Sequence, residues 1–477
     1  MNTTRRLIYF ILLSSVILTS NFGASQLPNT LAYQLNLRID YNNDKLFGKC
    51  EITISNETNQ PIEQVPILLY RLLSVQSVEN EKNMLLPFTQ KVISISGWEK
   101  LQVNYIEISL DDILSPGEQR KIKLEYEGYM LGYSEEGWRY VKDHIDKNFT
   151  IIRPDGFGYP IVGYPNEQDM MSITKEQYDY TINITVPNGI TAVNGGELIK
   201  QTKTDDETTF IFKSKKPSWR LDIVVADFQI LKQGKNNIYY FKNDSVGAKL
   251  MMNDFGKSLE LYSSWFGPLK DYQGFTIIEV PEGYGSQADI TSILITSDNF
   301  SKPGELLTLY HEASHLWNVK NLDALPCRFE SEGLAKFLEF LSAEKLDNKK
   351  NIVSEAAQRY LNEIRKDFIE KPEYQKIPIR DYGVYDMTEY SYTLGMVVFA
   401  IFYDLVGQDY FNKIIGSFYS TYYSKGATLD EFVNYCKKST PIDVERFFND
   451  WIYSTNAIKL ITDGKTFNEI TQYYCGK

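Results

Sequence analysis

His311-Glu312-Ala313-Ser314-His315 is the stretch of this sequence best equipped for chemistry. Residues four apart share one face of an α-helix, so His311 and His315 can aim two imidazoles at one point. That pairing suits a tetrahedral Zn²⁺ with Zn–N bonds of about 2.0–2.1 Å. Glu312 follows the first histidine, where it can lie beside an open coordination position and take a proton from water there. The whole chain holds only 3 histidines, so placing two on one helical face is hard to explain as packing. A third protein ligand is needed, and Glu332 is available where the next helical run opens. A carboxylate at a helix start is also favoured by the helix dipole alone, and Glu330 stands two positions earlier.

The elements that must position these groups can be read from spacing. Glu305 to Lys320 contains no Gly or Pro and reads as one helix, with Pro303 tolerable in a first turn. Leu334, Phe337, Leu338 and Leu341 recur on one helical face, so the run opened by Ser331-Glu332-Gly333 is amphipathic. Further helices are expected over Asn351 to Lys366 and from Glu389 through Ala400. Gly274 to Pro281 reads as a buried strand, followed by a loop from Glu282 to Asp289.

Upstream the pattern changes. From Leu27 to about Lys235 apolar and polar residues alternate, as in Tyr33-Gln34-Leu35-Asn36-Leu37-Arg38-Ile39 and Cys50-Glu51-Ile52-Thr53-Ile54. Pro187-Asn188-Gly189 closes a later run as a turn, and an all-β domain packed as sheets is expected. The Gly- and Pro-rich tract from Phe157 to Gln168 reads as a surface loop, with cleft lining as the alternative. His144, among Asp143, Asp146 and Lys147, is expected to be exposed. The chain turns polar near Asn236 and helical periodicity then begins at Leu250. The expected divisions are therefore 1–25, 26–235 and 236–477.

Residues 1 to about 25 carry Arg5-Arg6, an apolar run from Leu7 through Leu18, and small residues at Ser20, Gly23, Ala24 and Ser25. This is the layout of a cleavable signal peptide, short for a membrane span of about 20 residues. An exported protein is expected, anchored to a membrane only if that segment stays uncleaved. The formal net charge of −12 argues against nucleic acid as a partner, since phosphate binding wants clustered Lys and Arg. Four cysteines, Cys50, Cys327, Cys436 and Cys475, permit disulfides in an exported chain, and buried free thiols fit as well.

HEASHLW followed by SEGLAKFLEFL resembles the gluzincin zinc metallopeptidases of the aminopeptidase N family. The likeness is strong between about Gly274 and Trp451 and weaker before. It implies an N-terminal β domain followed by a thermolysin-like α/β peptidase domain with a mainly helical C-terminal part. It also implies one Zn²⁺ per chain, with Glu332 as third ligand because Gly-Leu-Ala follows it as in the family motif. The loop between His315 and Glu332 is two residues shorter than the family's. Glu389-Tyr390-Ser391-Tyr392-Thr393-Leu394-Gly395 resembles the motif whose tyrosine stabilises the oxyanion, which carries that role to Tyr392. Leu394 replaces the motif's lysine. The family's amine-binding G-x-M-E-N motif is broken in Gly285-Ser286-Gln287-Ala288-Asp289, with Ala288 at the glutamate's place. Glu282, Gln287 and Asp289 are the substrate-binding candidates that remain. Trp317-Asn318-Val319-Lys320 also resembles the glycyl aminopeptidase-like gluzincins.

The expectation is zinc-dependent hydrolysis of exported or extracellular peptides or proteins, as an aminopeptidase. Two alternatives stand beside it. One is an endopeptidase of unusual specificity, favoured by the broken motif. The other is an inactive cell-surface binding module, against which the intact His311, Glu312 and His315 argue.

Overall fold

A computed structural model describes residues 27–172, 177–301, 306–385 and 387–476. The expected signal segment, Pro303 and Glu305 lie outside the described residues. In the N-terminal region the strand Asn29–Asp40 turns Tyr33, Leu35, Leu37 and Ile39 inward, and its antiparallel partner Lys45–Ser55 adds Cys50, Ile52 and Ile54. This is the period-two burial that the alternation foretold. Seven strands join in one sheet, in which Asn29–Asp40 also pairs in parallel with Asp179–Pro187. A four-stranded sheet built on Ile62–Tyr70 and Trp98–Leu114 packs against it, and the inner faces of both share one core.

Two expectations for this region need correction. The tract after Phe157 is not a surface loop. Phe157 and Tyr159 are buried, and Ile161–Val162 pairs with Ile62–Tyr70. Its aromatic and β-branched residues outweigh its turn formers once a sheet edge is available. His144 is partly buried, with Nδ1 2.7 Å from the Lys142 carbonyl and 3.3 Å from the Tyr284 hydroxyl.

The second region is built on a five-stranded sheet. Phe228–Gln233 and Asn236–Phe241 form a hairpin turning at Gly234, which has φ of 60°. Asn236–Phe241, Thr276–Val280 and Ser292–Thr296 run parallel, and the short strand Gln287–Ala288 forms an antiparallel edge. The polar stretch expected to separate domains at 235/236 is therefore inside a hairpin. Its polarity reflects half-buried strand positions, not a linker. All five positions of Thr276–Val280 are buried, as a central parallel strand requires.

A buried ion network ties the edge strand to the β region. Arg153 and Asp143 are both fully buried and bonded at 2.8 Å. Arg153 also donates to the Tyr284 carbonyl at 3.0 Å, and Arg220 donates to Gln287 Oε1 at 2.7 Å. The charges are paired as burial demands, so removing one partner would leave the other uncompensated.

Helices fill the rest, and one apolar core embraces them. Tyr390–Val406 runs through its centre with Leu394 and Met396 through Phe402 buried. Among the described residues no single helix is long and apolar enough to cross a membrane; this helix is apolar because protein surrounds it. It crosses the chain just after Glu332 at a pair of glycines. A Cβ on Gly395 would stand 2.7 Å from Gly333 Cα, and one on Gly333 would stand 2.9 Å from Gly395 Cα and the Ser391 carbonyl. Beside this crossing Phe329 and Phe399 stack with centroids 4.6 Å apart. Cys50, Cys327, Cys436 and Cys475 are all free thiols.

The glycine crossing holds the helix that carries Tyr392 against the turn that carries Glu332. Gly395→Ala is expected to destabilise the protein by about 1–3 kcal/mol through overpacking, read as a lower urea midpoint with an unchanged slope. Unaltered stability would mean that the two backbones are not held at this distance.

Candidate metal centre

The helix Leu307–Ser314 divides its surface between two tasks. Leu309, Tyr310 and Ala313 face the core, while His311 and Glu312, also buried, belong to the polar cluster around Glu332. The core face is pinned by Tyr262, whose hydroxyl donates to the Tyr310 carbonyl at 2.9 Å and accepts from Ser342 Oγ at 2.8 Å. The α-helix stops at Ser314, and His315–Trp317 is a 3₁₀ turn, so the helix expected to reach Lys320 ends early. Asn318 is extended and its N–H bonds back to the His315 carbonyl, while the Trp317 indole donates to the Gly267 carbonyl at 2.9 Å. Those two anchors outweigh helix propensity.

Glu332 arrives from a different local structure. Phe329–Gly333 is a π-helical turn leading into the α-helix Leu334–Leu346, so Glu332 sits in a widened turn just ahead of the expected amphipathic helix. Such turns recur at functional sites because they rotate a side chain off the regular helical path. The turn is entered through Arg328, which has φ of 61°.

These elements bring three ligand atoms together. His311 Nε2 and His315 Nε2 are 3.2 Å apart, and Glu332 Oε2 lies 3.4 Å from the first and 3.3 Å from the second. A tetrahedral ion with bonds of about 2.0–2.1 Å needs ligand atoms separated by about 3.3–3.4 Å. The triangle therefore fits Zn²⁺ without rearrangement. Among the described residues it is the one group of three or more His, Cys, Asp or Glu side chains so arranged.

The charge balance points the same way. Glu312 and Glu332 are 7% and 8% exposed, and Glu339 is buried beside them. Burial alone would lower His311, but Glu332 and Glu339 outweigh it and carry it up to about 10. The three carboxylates Glu312, Glu332 and Glu339 outnumber Arg328 and Lys336, the cations paired with the last two, which suits a further positive charge at the imidazoles. Glu339 Oε2 lies 3.3 Å from His311 Nδ1 without the alignment of a good hydrogen bond, and Lys336 bonds Glu339 at 2.8 Å. The Asn318 amide is 2.7 Å from His315 Nδ1. With Nε2 on a metal, Nδ1 carries the proton, so the amide oxygen is the end suited to face it.

Glu330, the competing carboxylate, is turned away and accepts from Asn321. The Tyr392 ring lies parallel to His311 at 8°, with centroids 6.1 Å apart. Burial and then the Glu332 charge push its phenol up, so it keeps its proton. The substrate-binding candidates are more scattered. Asp289 is buried and accepts from Ser218, with burial pushing it up to about 7. Gln287 is engaged by Arg153 and Arg220. Glu282 is exposed on the turn before Gly283. Sequence reading missed Asn318, Arg328 and Glu339. Glu339 follows Glu332 by seven residues, two helical turns on, and that spacing was the available signal.

Neither a family model nor a curated protein matches this sequence. Solved structures do. A mutant M1 zinc metallopeptidase from Deinococcus radiodurans, bound to the substrate Tyr-Ser-Ala, superposes with a TM-score of 0.66 at 16% identity, over 90% of this chain and 94% of that one. The non-mutant structure from the same organism gives 0.62 at 16% identity over the same shares. A two-domain M1 zinc metallopeptidase mutant bound to L-tryptophan gives 0.64 at 16% identity, over 92% and 95%. The chain therefore has the two-domain fold of the M1 zinc metallopeptidases, a β-sheet region followed by an α/β and helical region.

Proposed function

We propose that this protein is a zinc-dependent peptidase, held to one Zn²⁺ per chain by His311, His315 and Glu332. The observation that carries the reading is the ligand triangle, whose edges of 3.2, 3.3 and 3.4 Å match a tetrahedral ion. Zn²⁺ bound there supplies a Lewis acid that lowers the pKa of water and polarises a carbonyl. The protein's own groups do the rest. Glu312 is buried next to the imidazoles, and burial raises its carboxyl, which suits a proton acceptor working near neutral pH. It takes the proton of the attacking water and passes it to the departing amine as the C–N bond breaks. Tyr392 donates its phenolic hydrogen bond as negative charge develops on the former carbonyl oxygen. Export is part of the proposal, resting on Arg5-Arg6 and the apolar run after them.

Which peptide end the cleft reads depends on a partner for the substrate ammonium. A cation in a closed cleft needs a carboxylate. Ala288 supplies none, and the Asp289 carboxylate is spent on Ser218. The aminopeptidase reading therefore rests on Glu282, and the geometry favours a cleft that does not require a free N-terminus.

Elemental analysis of purified protein is expected to find about one zinc per chain, lost in His315→Ala and bound roughly 10–100-fold more weakly in Glu339→Gln. Full zinc retention by His315→Ala would contradict the site. Glu312→Gln should keep zinc and the fold while hydrolysis falls by ~10²–10⁴-fold; a wild-type rate in that variant removes Glu312 as the base. N-acetylation of a peptide is expected to change kcat/KM by less than about tenfold, because a charged hydrogen bond to the amine would be worth roughly 1.5–3 kcal/mol. A larger preference for free amines that Glu282→Ala erases would establish N-terminal trimming instead.

A further inference from the structure

Arg328 is the one strained residue at the edge of the metal centre. Its φ of 61° and ψ of 13° place a long side chain in the left-handed region, a conformation that glycine and asparagine adopt more readily. Strain of this kind persists where surrounding structure enforces it and clusters at ligand-binding positions. Here the Glu332 N–H bonds the Arg328 carbonyl at 2.9 Å, which locks the turn. The turn then aims the guanidinium back over the site, with Nη2 3.3 Å from Glu332 Oε1, the oxygen not turned toward the imidazoles.

That contact leaves most of the guanidinium unused. Protein crowds it, yet 46% of the side chain stays exposed. Among the described residues, Glu332 is its only carboxylate within ion-pair distance, and no acceptor takes its N–H groups with good hydrogen-bond geometry. The ionisable groups acting on it most strongly are Glu332, Tyr392, Glu389 and Tyr140. Tyr392, the proposed oxyanion donor, and Tyr140 of the β region are thus within electrostatic reach of it. Tyr140 in turn lies 3.5 Å from where a Cβ on Gly285 would stand, in the loop before the edge strand. The edge of the metal centre thus offers a cation with open donors, while the edge strand offers Ala288 and an engaged Gln287.

We propose that Arg328 is a specificity residue that binds a substrate carboxylate, so that the site selects peptides carrying a negative group near the cleaved bond. This rests on the peptidase reading. The planar fork of arginine matches a carboxylate through two parallel hydrogen bonds, which lysine cannot reproduce. The carboxylate is either the peptide's own C-terminus or an Asp or Glu side chain.

The test compares short peptides differing only in a C-terminal acid or amide, and amidated peptides differing only in Glu or Gln beside the cleaved bond. Wild-type protein should favour one of the charged forms by about tenfold or more, mainly in KM, and Arg328→Gln should erase that preference while Arg328→Lys restores it in part. Preference for the acid over the amide identifies the C-terminus as the source; preference for Glu over Gln identifies a side chain. The same pairs are titrated calorimetrically into zinc-loaded Glu312→Gln protein, so binding is read without turnover. No preference for either charged form, or a preference that survives Arg328→Gln, overturns the proposal. So does an Arg328→Gln effect that lowers kcat equally for all peptides, since that marks a residue that only orients Glu332. If wild-type protein cleaves no peptide at all, the peptidase reading falls, and the titrations still decide whether Arg328 binds the carboxylate.

Discussion

Two imidazoles on one helical face and a carboxylate from the next element must meet within a triangle whose edges are 3.2 to 3.4 Å. Much of the second region exists to satisfy that constraint. The motif helix is fixed by Tyr262 reaching its backbone, and its end is fixed by Trp317 bonding to Gly267. The opposite side is fixed where Gly333 and Gly395 bring two backbones into contact. A displacement of a few tenths of an ångström at either support would open the triangle, because close-packed interiors transmit shifts rather than absorb them.

Burial makes this geometry matter electrostatically. Glu312, Glu332 and Glu339 are buried together and repel one another, an excess that Arg328 at Glu332 and Lys336 at Glu339 only partly offset. The same burial lifts Glu312 toward the pH where it can accept and release a proton. It also keeps Tyr392 protonated. Burial thus pushes the Glu312 carboxyl and the Tyr392 phenol in the same direction, toward the protonated form. Lys336 neutralises the outer carboxylate Glu339 and so limits the negative excess behind His311.

The candidate metal ligands were legible through helical spacing and through motif resemblance. His311 and His315 share a face by helical period alone, and Glu332 and Tyr392 were placed through motifs around them. The all-β region was legible through spacing too, since inward residues such as Leu35 and Leu37 alternate. What the sequence concealed depends on distant partners. The helix ends at Trp317 because Gly267 lies opposite, a contact spanning fifty positions. The buried strand at Ile161–Val162 needs the edge at Ile67 and Leu68 to exist. The expected division at 235/236 falls on the hairpin at Gly234 because its residues are polar and half-exposed. Arg328 had no local signature at all, for a left-handed arginine is a consequence of the π-helical turn it precedes.

The central claim is that these three side chains form a zinc site, and X-ray absorption at the zinc edge reads it directly. Purified protein should show two imidazole nitrogens and carboxylate oxygen at about 2.0–2.2 Å around one bound zinc, with no sulfur ligand. A shell containing sulfur at about 2.3 Å, or a spectrum without imidazole scattering, would contradict the account.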